Sequence, residues 1–105
     1  MTASVTEAER AAVERLFGYA QLDAEQGKTV ASFLLAWWWS QRCGGFNIDE
    51  ALNVDHDIRT DIVTALAVAM RTNVSPQYFG HKIEPVVRKW RPTVAMELDA
   101  ECADA

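Results

Sequence analysis

The 105-residue chain is long enough for one domain with a modest core and too short for two. Half of its residues are apolar and 24% are charged, the balance of an ordinary globular protein, which excludes disorder over most of the length. A formal net charge of -5 with an isoelectric point near 4.9 excludes general attraction to a nucleic-acid backbone, although a local basic patch can override the average.

In chain order, Thr6-Glu7-Ala8-Glu9 is a capping-box pattern, so a first helix is expected to start there. Val13, Leu16, Phe17 and Ala20 then recur at i, i+3, i+4, i+7 and define its core stripe, with Gly27 offering a left-handed stop. A second helix is expected from a Thr29 cap, with Val30, Phe33, Leu34 and Trp37 as the main stripe, Trp38 on its flank, and Gly44-Gly45 as terminator. At 100° per residue three consecutive indoles cannot share one face, and Trp39 falls opposite the stripe, near Ser32, Leu35 and Lys28. This helix is therefore central and covered on more than one side, or one indole faces a partner.

Asn47 or Asp49 is suited to cap a single turn through Leu52. Asp55-His56-Asp57 opens a third long helix whose apolar positions are Ile58, Ile62, Ala65, Leu66, Ala69 and Met70, with Asn73 to close it. Asp55, Asp57 and Asp61 complement its positive end and Arg71 its negative end. Ser75-Pro76 opens a short turn. Ile83, Val86, Val87 and Trp90 form a last stripe, Pro85 is tolerable only in a first turn, and Pro92 is expected to stop the helix. Residues 1–5 and about 97–105 are expected to fray, the latter carrying four acids and no base. The expectation is an all-α, single small helical domain of about four to six helices around a central Trp-rich helix.

The pattern holds little chemistry. His56 lies between two acids, but adjacent residues at a helix start point apart and a metal site needs three or four convergent ligands, so an acid-capped helix start is the favoured reading. His81, Cys43 and Cys102 lack the paired spacing of a zinc site. No nucleophile motif or phosphate-cradling loop is present, and no metal or cofactor is expected. The two cysteines and the polar start from Met1 to Arg15, without a leader-like apolar run, point to a reduced, cytoplasmic protein. Val30 to Trp39 is about half the length of a membrane span, so no membrane association is expected. Lys82, Arg88, Lys89 and Arg91 surround Trp90, as in single-stranded nucleic-acid binders, yet Trp90 lies on the core stripe and the cations flank it, the usual rim of an amphipathic helix.

The segment Val30-Ala-Ser-Phe-Leu-Leu-Ala-Trp-Trp38, then Gly44-Gly-Phe46, Asp55 and Val86-Val-Arg-Lys-Trp-Arg-Pro92, resembles a family of small uncharacterised proteobacterial proteins often encoded on mobile genetic elements. The resemblance covers roughly residues 26–92 and its motifs are fairly specific as a set, but the family carries no assigned activity. It tends to place a polar residue after the two tryptophans, where this chain has Trp39. Small acidic proteins of mobile elements are often inhibitors of host defence, including anti-CRISPR proteins, and the resemblance implies that class by association.

The functional expectation is a non-enzymatic interaction protein, an inhibitor of a bacterial nucleic-acid-processing or defence complex such as a CRISPR effector. Its expected binding residues are Trp39, Leu35, Asp49, Glu50, Asp57 and Asp61, acids and an aromatic anchor suited to a basic groove. One alternative is single-stranded nucleic-acid binding by Lys82, Arg88, Lys89 and Arg91. Another is an oligomerising module that buries Trp39 and Leu35 against a second copy, although a monomer is slightly favoured.

Overall fold

The computed structural model describes residues 5–80 and 83–103. Among these the chain is all-helical: α1 Glu7–Tyr19, α2 Glu25–Cys43, α3 Ile48–Ala51, α4 His56–Thr72, a 3-10 turn Pro76–Phe79, α5 Glu84–Trp90 and α6 Pro92–Ala103. The extents are 40 × 36 × 20 Å, and the short axis corresponds to two helix diameters at about 10–12 Å each. The molecule is thus two helices thick, and a helix in it ordinarily keeps one face in water.

α2 is the exception. Every residue from Thr29 to Leu35 is buried, so the helix is covered on all sides over two turns. Leu34, Leu35, Val30 and Ala31 are wholly inaccessible, and each large aliphatic side chain contributes about 1.5–3 kcal/mol by leaving water. α1 covers it with Val13, Leu16, Phe17 and Ala20, as its stripe predicts. α5 covers it with Val86 and Val87. Phe79 of the 3-10 turn and Phe46 meet its aromatic flank through Trp37 and Phe33.

The capping box is present in full: Glu9 N donates to Thr6 Oγ1, and Thr6 N donates back to the Glu9 carboxylate. α1 and α4 run antiparallel, because Arg15 meets Asp61 while Glu9 meets Arg71. Arg15 forms a two-pronged pair with Asp61 at 2.9 Å for both bonds, which is how a buried aspartate is accommodated in this interface. Asn73, in the left-handed conformation, closes α4 as expected.

Three boundaries differ from the sequence reading. Gly27 does not stop α1, which ends at Tyr19; it lies inside α2, which starts at Glu25 rather than at a Thr29 cap. Its role is close approach: an added Cβ would sit 2.2 Å from Leu22 O and 2.9 Å from Tyr19 O, so the α1–α2 turn is pressed against the helix backbone. Pro92 ends nothing beyond α5; it is the first residue of α6, where its missing N–H costs nothing. The tail expected to fray is therefore helical through Ala103, while residues 1–4 and 104–105 lie outside the described residues.

α4 buries Ile58, Asp61, Ile62, Ala65 and Val68, not Leu66 and Met70, which are exposed. The face against α1 is rotated so that Asp61 reaches Arg15. Gly27→Ala should lower stability by about 1–3 kcal/mol, the overpacking range, where the same change in an open helix stabilises. Chemical denaturation of wild type and variant checks this; a neutral or stabilising result would show that the turn is not held against α2.

Candidate functional site

α2 departs from helical geometry at Trp39 (φ -161°, ψ 79°), so a single helical wheel does not extend through it. Leu35 and Ser32, which the wheel places beside Trp39 on an accessible back face, are buried by the fold. Leu35 therefore offers no surface to a partner or to a second copy. Trp39 is 38% exposed, stands edge-on to Trp38 at 5.6 Å, and is overlaid by the Arg42 guanidinium at 5.1 Å. Trp37 is anchored by its indole N–H, which donates to Val74 O at 2.9 Å.

The acidic set divides. Asp61 is buried in its pair with Arg15 and does not belong to an accessible acidic face. Asp49 and Asp57 are exposed, and Glu50 is half-buried. Glu50 lines a cleft of about 260 Å³ with Glu25, Lys28, Thr29, Asn53 and Val54, where α2 begins beside the α3–α4 connection. Gln26 Oε1 accepts from Asp55 N at 2.7 Å and fixes the start of α4 on α2.

Three of the four residues of the basic cluster, Arg88, Lys89 and Arg91, have partners in the fold. Arg88 holds Asp99 through two bonds of 3.0 and 2.9 Å and Glu84 at 2.9 Å, and Lys89 pairs with Asp23. Arg91 donates to the carbonyls of Cys43 and Trp90, each at 2.9 Å. Lys82 and His81 lie outside the described residues. Arg42 pairs with Glu97 and Glu101, and Arg71 with Glu9. Arg15, Arg42, Arg71, Arg88 and Lys89 thus tie helices and turns together, while Glu25, Asp49, Asp55 and Asp57 form no ion pair among the described residues.

What the sequence reading missed is apolar. Ile48 is 75% exposed and Leu52 64%, and α3 buries none of its residues. Val63, Leu66 and Met70 are exposed at i, i+3, i+7 on α4, a second stripe separate from its buried one. The sequence does carry the signal, since α4 has more apolar residues than one face can hold, but periodicity cannot say which stripe is inward.

His56 is exposed, and among the described residues no group of three or more His, Cys, Asp or Glu is placed to hold a metal ion. Burial pushes the Cys43 thiol up, against the lowering effect of Arg91 and Arg42, and so opposes the thiolate form needed for nucleophilic chemistry. No described helix is long and apolar enough to cross a membrane. A family model described as a family of unknown function, DUF7673, matches residues 10–91. No curated protein and no solved structure matches the chain.

The Arg71 guanidinium and the Thr6 N–H hold the Glu9 carboxyl at about 2, below its ordinary 4.5. The ionised carboxylate therefore favours folding above the ordinary value, and this contribution is lost as pH falls toward 2. Glu9→Gln should be less stable than wild type at neutral pH and should lose less stability between about pH 5 and about pH 3. Thermal melts across that range check it; parallel curves for the two proteins would exclude the Arg71 pair as a source of acid sensitivity.

Proposed function

The chain belongs to the DUF7673 family of unknown function, and from its own surface we propose that it is a non-enzymatic interaction protein that docks on a basic groove of a nucleic-acid-processing complex and inhibits it. The observation that carries this is the combination on α3 and the start of α4: exposed Ile48 and Leu52 beside Asp49, Asp55 and Asp57, acids that form no ion pair among the described residues. An apolar anchor bordered by acids suits a specific interface, with the anchor supplying affinity and the acids steering encounter and excluding wrong partners. A groove built for phosphates offers the complementary cations.

A helix of four residues that buries none of its side chains contributes little to the core, so its exposed aliphatics call for a use. The second apolar stripe, Val63, Leu66 and Met70, follows directly in sequence and extends the accessible apolar surface along α4. Inhibition of a bacterial defence complex, of the kind mobile elements carry, is the specific form of this reading.

The test is capture of effector complexes from host lysate, followed by an interference assay with phage or plasmid DNA. Wild type should associate and protect, and raising salt from about 0.1 to about 0.5 M should weaken the association. The charge reversal Asp49→Lys with Asp57→Lys, or the apolar change Ile48→Ser with Leu52→Ser, should each weaken it by at least about tenfold, equivalent to about 1.4 kcal/mol. Binding unchanged by both double variants, or no effector bound by wild type, would sink the reading.

A further inference from the structure

Of the described side chains of α6 only Ala95 is buried, with Val94 and Leu98 half-buried. Ion pairs complete its attachment: Glu97 and Glu101 take Arg42 of α2 at 3.2 and 2.8 Å, and Asp99 takes Arg88 of α5 at 2.9 Å. All three carboxylates are more than half exposed, and exposed pairs of this kind add little to stability and weaken in salt.

The seat beneath α6 is better built than its occupant. A groove of about 230 Å³ remains between them, with an apolar floor of Trp38, Ile83 and Val87 facing Ala95, Leu98 and Cys102 of α6 and a charged rim that includes Arg88 with Glu84 and Asp99. Arg42, which holds Glu97 and Glu101, also lies over the Trp39 ring, a cation on an aromatic platform. α6 joins α5 through Arg91, which is non-helical (φ -138°, ψ 64°) and precedes Pro92, so the two helices do not form one rigid rod.

The family match ends at Arg91. The seat residues Trp38, Arg42, Ile83, Val87 and Arg88 fall inside the matched span and α6 falls outside it. Residues 92–105 carry four acids and no base, which is most of the net negative charge of the whole chain.

We propose that α6 is a displaceable acidic strap, and that the groove it covers is a docking site for an acidic amphipathic helix of a partner protein. The partner helix presents carboxylates to Arg42 and Arg88, as Glu97, Asp99 and Glu101 do, and fills the groove with larger apolar side chains. This surface is built from α2 and α5 and is independent of the α3–α4 face.

Two measurements on the full chain test it. In hydrogen exchange, amides of residues 95–103 should exchange at least about tenfold faster than those of Val30 to Leu35. For binding, the probes are a fluorescent peptide of residues 92–103 and its version with Leu98→Phe and Cys102→Leu. The strap is loosened in the protein by Glu97→Gln with Glu101→Gln, with circular dichroism confirming that helix content is kept. The filled peptide should bind the loosened protein at least about tenfold more tightly than wild type, and adding Arg42→Gln should remove that binding. Equal protection of α6 and α2, or no peptide binding by a folded loosened protein, would overturn the proposal. Tighter binding of a 12-nucleotide single-stranded DNA than of the acidic peptide would overturn the class of partner.

Discussion

A helix buried on every side dictates the remainder of this molecule. Thr29 to Leu35 have no water-facing side, so α2 must be enclosed by α1, α4, α5 and the 3-10 turn, although the molecule is only two helices thick. Such enclosure requires neighbours to come closer than side chains normally permit, and at Gly27 they do, with the preceding turn's carbonyls where a Cβ would be. The polar residues of the enclosed stretch, Thr29 and Ser32, are small enough to be tolerated there.

The second organising fact is the use of charge. Arg15, Arg42, Arg71, Arg88 and Lys89 each bridge to an acid, and four of these five pairings join different helices, as do the Arg91 bonds to the end of α2. The pairs take up acids as well as cations, and the acids that form no ion pair among the described residues include Asp49, Asp55 and Asp57 on α3 and the start of α4. Of the cluster that looks basic in sequence around Trp90, Arg88 and Lys89 are held by acids and Arg91 by carbonyls.

Much of the fold was legible in the sequence because it rests on local chemistry. The Thr6–Glu9 box, the αL stop at Asn73, the Ser75-Pro76 turn and the stripes of α1 and α5 each depend on residues within a turn or two of one another. The boundaries at Gly27 and Pro92 were not legible, since each residue serves two opposite ends of a helix grammar and only tertiary packing selects between them. The candidate site was less legible still. Trp39 lies beyond a break in helical phase, so its placement beside Leu35 could not survive. Asp61 was indistinguishable from Asp57 until Arg15, far away in sequence, selected it. Leu66 and Met70 read as part of the same stripe as Ile58 and Ile62 because apolar periodicity has no sign.

The indole of Trp90 donates to Ala20 O at 2.7 Å across 70 residues, supplying a partner for a carbonyl just past the end of α1. Helix ends ordinarily close with groups next to them in sequence. Here the group arrives from α5, so any order of assembly that begins at the amino terminus leaves the α1–α2 turn incomplete until the carboxyl-terminal third has docked. Together with the Trp37 bond to Val74, which spans 37 residues, this ties the turns to helices remote from them. Cooperativity in such a small chain then resides in its loops as much as in its core: opening α5 withdraws a hydrogen bond from the turn after the first helix.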